Sequence, residues 1–313
     1  MLAGQSLGRI LLPFAALHFF AAGTARAQTK SLAERLGYAS DAKLLVIHAD
    51  DLGVAHAVNA ASFEAFERGA ISSASAMVPT PWFSEVAAYA RQHPDHDIGI
   101  HLTLNSEWKF YRWGPTAPKS AVPGLLDPSG YLWPDVASVL KMAKPEEVER
   151  EIRAQVELAI SSGLLPTHLD SHMGTLFADP AFFEAYVKVA REFGVPFFAP
   201  RVPNASIELL RFAEQHGFLL DGFAMAGEQV QPGEWPAFYA DVVRTLQPGV
   251  TELIVHLGYD DAELQAVTVE HPAFGSAWRQ RDFNVVTSPE FKRALQENHV
   301  ILIGWKELKK KLL

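Results

Sequence analysis

Two adjacent carboxylates, Asp50 and Asp51, end the apolar run Leu44-Leu45-Val46-Ile47-His48-Ala49 and are followed by Leu52-Gly53. The pattern reads as a buried strand that delivers acids to an open edge. Burying one ionised carboxylate without a partner costs several kcal/mol, so the pair implies a cation, a catalytic task or a dense hydrogen-bond shell. Histidines at the ends of other apolar runs narrow the choice. His101 lies in Asp97-Ile98-Gly99-Ile100-His101-Leu102, His172 follows Thr167-His168-Leu169-Asp170-Ser171, and His256 closes Leu253-Ile254-Val255-His256. One carboxylate and two imidazoles make a workable ligand set for a divalent cation, with positions left for water and substrate. The blander alternatives are a capping or surface acid pair at Asp50-Asp51 and, for His101 alone, a hydrogen-bonded core histidine. Their joint occurrence at run ends favours a site.

Residues so far apart can meet only if a fold gathers strand ends. Strand-like bursts occur at residues 44–49, 72–78, 98–104, 167–171, 195–199, 218–221, 252–257 and 300–304, with helical stretches between them. That alternation predicts an α/β fold, a distorted (β/α) barrel of seven or eight parallel strands, whose βα loops form one mouth. Pro145 opens a segment in which Val148, Ile152, Val156 and Ala159 share a face until Gly163 stops it. Asp179-Pro180 and Ser288-Pro289 read as helix caps followed by first helical residues. His168 and Asp170 alternate along one strand and share a face with His172. His168 reads better as a buried, hydrogen-bonded ring than as a ligand, and Asp170 could orient a histidine or serve as an ordinary ion-pair partner. The proline- and glycine-rich stretch 105–135 predicts a long loop with a function of its own. Within it, Trp108-Lys109-Phe110-Tyr111-Arg112-Trp113 offers rings that could either face a sugar or anchor the loop.

The first 27 residues carry Arg9, an apolar stretch from Ile10 to Ala22 and the small-x-small sequence Ala25-Arg26-Ala27, which together predict a cleaved secretory signal. Residues 28–313 then form a single domain of 286 residues, a size that α/β barrels reach without dividing. Loss of Arg9 and Arg26 moves the net charge from −9 to −11, which disfavours nucleic acid as a partner. No stretch suits stable membrane insertion. The expected location is exported, periplasmic or secreted in a bacterium. Cysteine is absent, so a metal must be held by histidine, carboxylate or water.

Ala49-Asp50-Asp51-Leu52-Gly53, Gly99-Ile100-His101-Leu102-Thr103-Leu104, Pro166-Thr167-His168-Leu169-Asp170-Ser171-His172 and Val255-His256-Leu257-Gly258-Tyr259 together resemble the YdjC-type carbohydrate deacetylases, a group that includes chitooligosaccharide and hopanoid deacetylases. The resemblance implies a polysaccharide-deacetylase-like barrel and a metal-dependent amidohydrolase site. Asp51, His101 and His172 would hold one divalent metal ion, zinc or magnesium. Asp50 would act as general base, and His256 would protonate the departing amine. Two positions depart from the family pattern: Met173-Gly174 follows His172 where further histidine is usual, and Leu257 stands where proline is common. These changes bear on the substrate pocket more than on the metal set.

The expected activity is therefore removal of an N-acetyl group from an acetylated amino sugar or oligosaccharide. A metal-dependent phosphoesterase or other hydrolase on the same barrel, and a catalytically idle glycan-binding barrel, are the competing readings. The sequence leaves the oligomeric state open.

Overall fold

A computed structural model of the chain describes residues 30–199 and 206–313. The expected signal segment, residues 1–27, lies outside the described residues. Seven strands, β1 (Lys43–Leu52), β2 (Ser73–Ala76), β3 (Ile98–Leu102), β4 (Leu169–Ser171), β5 (Gly222–Met225), β6 (Gly249–Val255) and β7 (Val300–Leu302), form one sheet. Every pairing is parallel. The spatial order is β4-β3-β2-β1-β6-β5, with β7 paired to β1. β1 is the centre of this arrangement. One of its edges carries β6 from Lys43 to Ala49, while the other is shared between β7, at Lys43–Leu45, and β2, from His48 onward. A strand hydrogen-bonded on both edges and covered on both faces reads as a near-continuous apolar run; β1 is buried from Leu44 to Leu52, apolar through Ile47 and polar where it nears the mouth, at His48, Asp50 and Asp51.

Of the eight expected segments, 195–199 is reduced to a bridge between Phe197 and Leu169. Pro196 has no N–H to give to a ladder, yet its carbonyl still accepts from Leu169 N at 2.9 Å. The segment expected at 218–221 precedes its strand, which begins at Gly222. Ala199 N donates to Phe218 O at 3.2 Å and Asp221 N to Val250 O at 2.9 Å. Through these single bonds the β4 edge reaches the β5–β6 edge, which is the distortion of the barrel.

The helices follow the local signals. Pro145–Ser161 buries Val148, Ile152, Val156 and Ala159 as the periodicity requires. Pro180–Phe193 and Pro289–Glu297 start where Asp179 and Ser288 cap them. No helix among the described residues is long and apolar enough to cross a membrane.

The long loop is folded back on the barrel. Thr116 N and Ala117 N donate to the buried Glu151 carboxylate at 2.8 and 2.9 Å, and Asn105 bridges Trp133. Trp108 and Trp113 are buried in this packing, and Trp113 Nε1 donates to Asn105 O at 2.8 Å. These two indoles anchor the loop, while Phe110 and Tyr131 are exposed.

Polar groups also occupy the barrel interior. Gly99 on β3 leaves room for the His168 ring, which a Cβ there would strike. His168 stacks on Trp305, its ring centroid 5.2 Å away. Trp305 Nε1 donates to Glu252 on β6 at 2.6 Å. Burial pushes the Glu252 carboxyl up from 4.5 to about 7. A carboxyl raised on folding adds stability that is complete below pH 4.5 and is lost as pH rises through about 7. Glu252→Gln keeps the neutral shape, so its unfolding free energy should gain on the wild type across that window by up to roughly 3 kcal/mol. Urea titrations at several pH values would measure this, and a constant difference would contradict it.

Gly53, just past β1, has a φ of +93°, and a Cβ there would lie 3.1 Å from Thr80 Oγ1 and 3.2 Å from Met77 O. Gly53→Ala should cost roughly 1–3 kcal/mol of stability, read as a lower urea midpoint. An unchanged midpoint would show that the turn can relax.

Candidate metal centre

β1 presents both acids at the barrel mouth by breaking its own alternation. Neighbouring side chains of a regular strand point to opposite faces. Here Asp51 has a φ of +72°, and the β1–β2 register slips between Ala49 and Leu52. This local bulge lets Asp50 and Asp51 serve one site, and aspartate is among the residues that tolerate such a φ best. His101 comes from β3, Asp170 from β4, His172 from the turn after β4 and His256 from the residue after β6. Asp50, Asp51, His101, His172 and His256 are all buried.

Asp51 Oδ1 lies 3.4 Å from His101 Nε2 and 3.2 Å from His172 Nδ1. The ligand atoms of these three residues all fall within 4.8 Å of one another. Asp51 Oδ1 is buried and accepts no hydrogen bond, which is the condition of an oxygen shaped for a cation. The opposite nitrogen of each imidazole is already held. His101 Nδ1 is 2.7 Å from Asp170 Oδ1 and 3.2 Å from Ser75 Oγ, and His172 Nε2 is 3.1 Å from Glu107 Oε2. Carboxylates that orient the far nitrogen fix the tautomer and turn the free nitrogen to the ion. The donor set of one carboxylate oxygen and two imidazole nitrogens fits a divalent metal.

Two other groups come within the same distance, Asp50 with His101 and Asp170, and His48 with His168 and Asp170. Their geometry is less open. His101 Nδ1 is engaged by Asp170, and His48 Nε2 by Ser75 Oγ at 3.0 Å.

Burial opposes ionisation of Asp51, but Arg279, His172 and His256 hold its carboxyl well below the usual range. Arg279, from the helix Ser276–Val286, donates from Nη2 to Asp51 Oδ2 at 2.6 Å. One oxygen of Asp51 is thereby neutralised and the other left for the ion. Burial disfavours a charged His172, yet Glu107 and Asp51 push it up to about 10. His101 is raised in the same way, with Asp170 overcoming the penalty of burial. His256 moves the other way: burial pushes it down to about 4. Its Nε2 stands 3.9 Å from Asp50 Oδ2, and its backbone N–H donates to the buried Asp282 at 2.9 Å.

All five sequence-predicted residues therefore meet at one mouth, and Asp170, for which the sequence left two roles open, lies against the Nδ1 of His101. Sequence reasoning missed Glu107, Arg279 and His48. Glu107 sits in the loop already expected to have a function, and His48 lies two residues before Asp50 on the same strand face, so both carried a readable signal. Arg279 follows Trp278 in an ordinary helical stretch and carried none.

The family model described as YdjC-like protein matches residues 44–297. A carbohydrate deacetylase of Thermus thermophilus is 30% identical over 292 residues, spanning 90% of this chain and 99% of the relative. A chitooligosaccharide deacetylase of Serratia marcescens is 26% identical over 85% of this chain and 99% of its own length. The crystal structure of an Enterococcus faecalis V583 protein, described as a proposed cellobiose-phosphate cleavage protein, is 28% identical and superposes with a TM-score of 0.71 over 85% of this chain and 99% of that one. With the family's extent running from β1 almost to the last strand, and a relative at this identity over nearly its whole length, the chain belongs to the YdjC-like family.

Proposed function

We propose that this protein is an exported, metal-dependent carbohydrate deacetylase that hydrolyses the N-acetyl group of an acetylated amino sugar or oligosaccharide. The observation that carries this reading is the buried, unpartnered Asp51 Oδ1 facing two imidazole nitrogens whose other nitrogens are held by carboxylates. The names of the Thermus and Serratia relatives supply the substrate class. Export rests on the leader-like composition of residues 1–27 alone.

A divalent cation, zinc or magnesium, held by Asp51, His101 and His172 would supply Lewis acidity to a water and to the amide carbonyl. The chain's own groups do the rest. Asp50 takes a proton from the attacking water, and His256 gives one to the departing amine, so that acetate and a free amino sugar separate. Burial keeps His256 neutral in the resting site. The proton it delivers must therefore arrive during turnover, and Asp50 Oδ2, 3.9 Å away, is the near source. Arg279 balances the charge of Asp51, while Asp170 and Glu107 keep the two ligand rings in register.

Acetate release from N-acetylglucosamine oligomers should be abolished by chelation and restored by added zinc or magnesium. Hydrolysis of phosphomonoesters without acetate release would favour the phosphoesterase reading, and binding without release the idle glycan-binding one. The roles separate by variant. His101→Ala and His172→Ala should lose bound metal by elemental analysis. Asp50→Asn and His256→Ala should retain it while turnover falls by about 10²- to 10⁴-fold. Loss of metal from Asp50→Asn would contradict this division of tasks.

A further inference from the structure

His48 is buried in the barrel, one step deeper along β1 than Asp50, and the reaction scheme does not use it. Its Nε2 lies 3.1 Å from Asp50 Oδ1, 3.0 Å from Asp170 Oδ2 and 3.0 Å from Ser75 Oγ. Its Nδ1 is 3.1 Å from Ser73 Oγ. The two oxygens of Asp170 are thus divided, Oδ2 toward His48 and Oδ1 toward His101 at 2.7 Å. We propose that His48 is a positioning residue that clamps Asp50 and Asp170 together and so aims the carboxylate of Asp50 at the water.

This inference rests on the deacetylase reading, since it names what holds the base of that reaction in place. Two carboxylates converge here on one nitrogen in a water-poor interior, and like charges so close need a shared donor. The small side chains of Ser73 and Ser75 on β2 make the space and seat the ring from that side. The edge of the His168 ring closes another side, with centroids 4.9 Å apart. Asp50 Oδ1 is buried and accepts no hydrogen bond, so His48 cannot swing away without removing the cationic ring nitrogen that faces it at 3.1 Å. The surroundings also favour a protonated ring: burial opposes the charge, but Glu252, Asp170 and Asp50 raise His48 well above the ordinary histidine range.

The experiment uses two substitutions on the full-length protein. Asparagine at this position can reach Ser73, in the place of Nδ1, but not the two carboxylates; glutamine puts an amide donor near the place of Nε2. His48→Asn should lower kcat for acetate release by about 10- to 100-fold with KM and metal content unchanged, and His48→Gln should recover most of the loss. Independently of turnover, the metal-free wild type should show a strongly downfield imidazole N–H proton by NMR that vanishes in His48→Asn and moves in Asp170→Asn. An undiminished kcat in His48→Asn, a loss confined to KM or metal content, or the absence of that proton would overturn the inference while leaving the deacetylase reading standing. A wild type that releases no acetate from any acetylated sugar overturns both.

Discussion

The site depends on keeping negative charge buried at the mouth of a barrel. Asp50, Asp51 and Asp170 are shielded from water, with Glu107 close by against His172, and each would be costly if left without a positive partner. The chain meets this demand with groups from distant elements. Arg279 takes one oxygen of Asp51, His48 stands between Asp50 and Asp170, and His101 and His172 complete the ring. The Oδ1 atoms of Asp50 and Asp51 are left without a hydrogen bond, and the second, facing two imidazole nitrogens, stands where a divalent ion would fit.

The fold is arranged around delivering those groups. β1 is shared by β6, β7 and β2, so its end is held on both sides where the acids emerge. The bulge at Asp51 then places successive residues at one mouth. Gly99 yields its side-chain volume to His168, and the serines of β2 yield theirs to His48. A barrel interior packed only with large aliphatic side chains would have no space for this ladder of imidazoles and carboxylates.

Much of this was legible in the residues. Apolar runs ending in Asp or His marked the strand ends, and cap residues before proline marked helix starts at Pro180 and Pro289. What the sequence hid were effects that only three-dimensional closure decides. Pro196 thins one expected strand to a bridge, because a missing N–H cannot be compensated locally. Trp108 and Trp113 carry rings fit for either a sugar or a core, and their burial follows from how the loop folds over the helix Pro145–Ser161. Arg279 is one helical arginine among several until the fold sets it against Asp51. Partners separated by more than two hundred residues leave no local pattern to read.

Anomalous diffraction from crystals of the protein loaded with zinc would test the central claim most directly. The account predicts a peak about 2.0–2.2 Å from Asp51 Oδ1, His101 Nε2 and His172 Nδ1. A zinc ion bound deeper, against His48, His168 and Asp170, with no density beside Asp51 Oδ1, would contradict it.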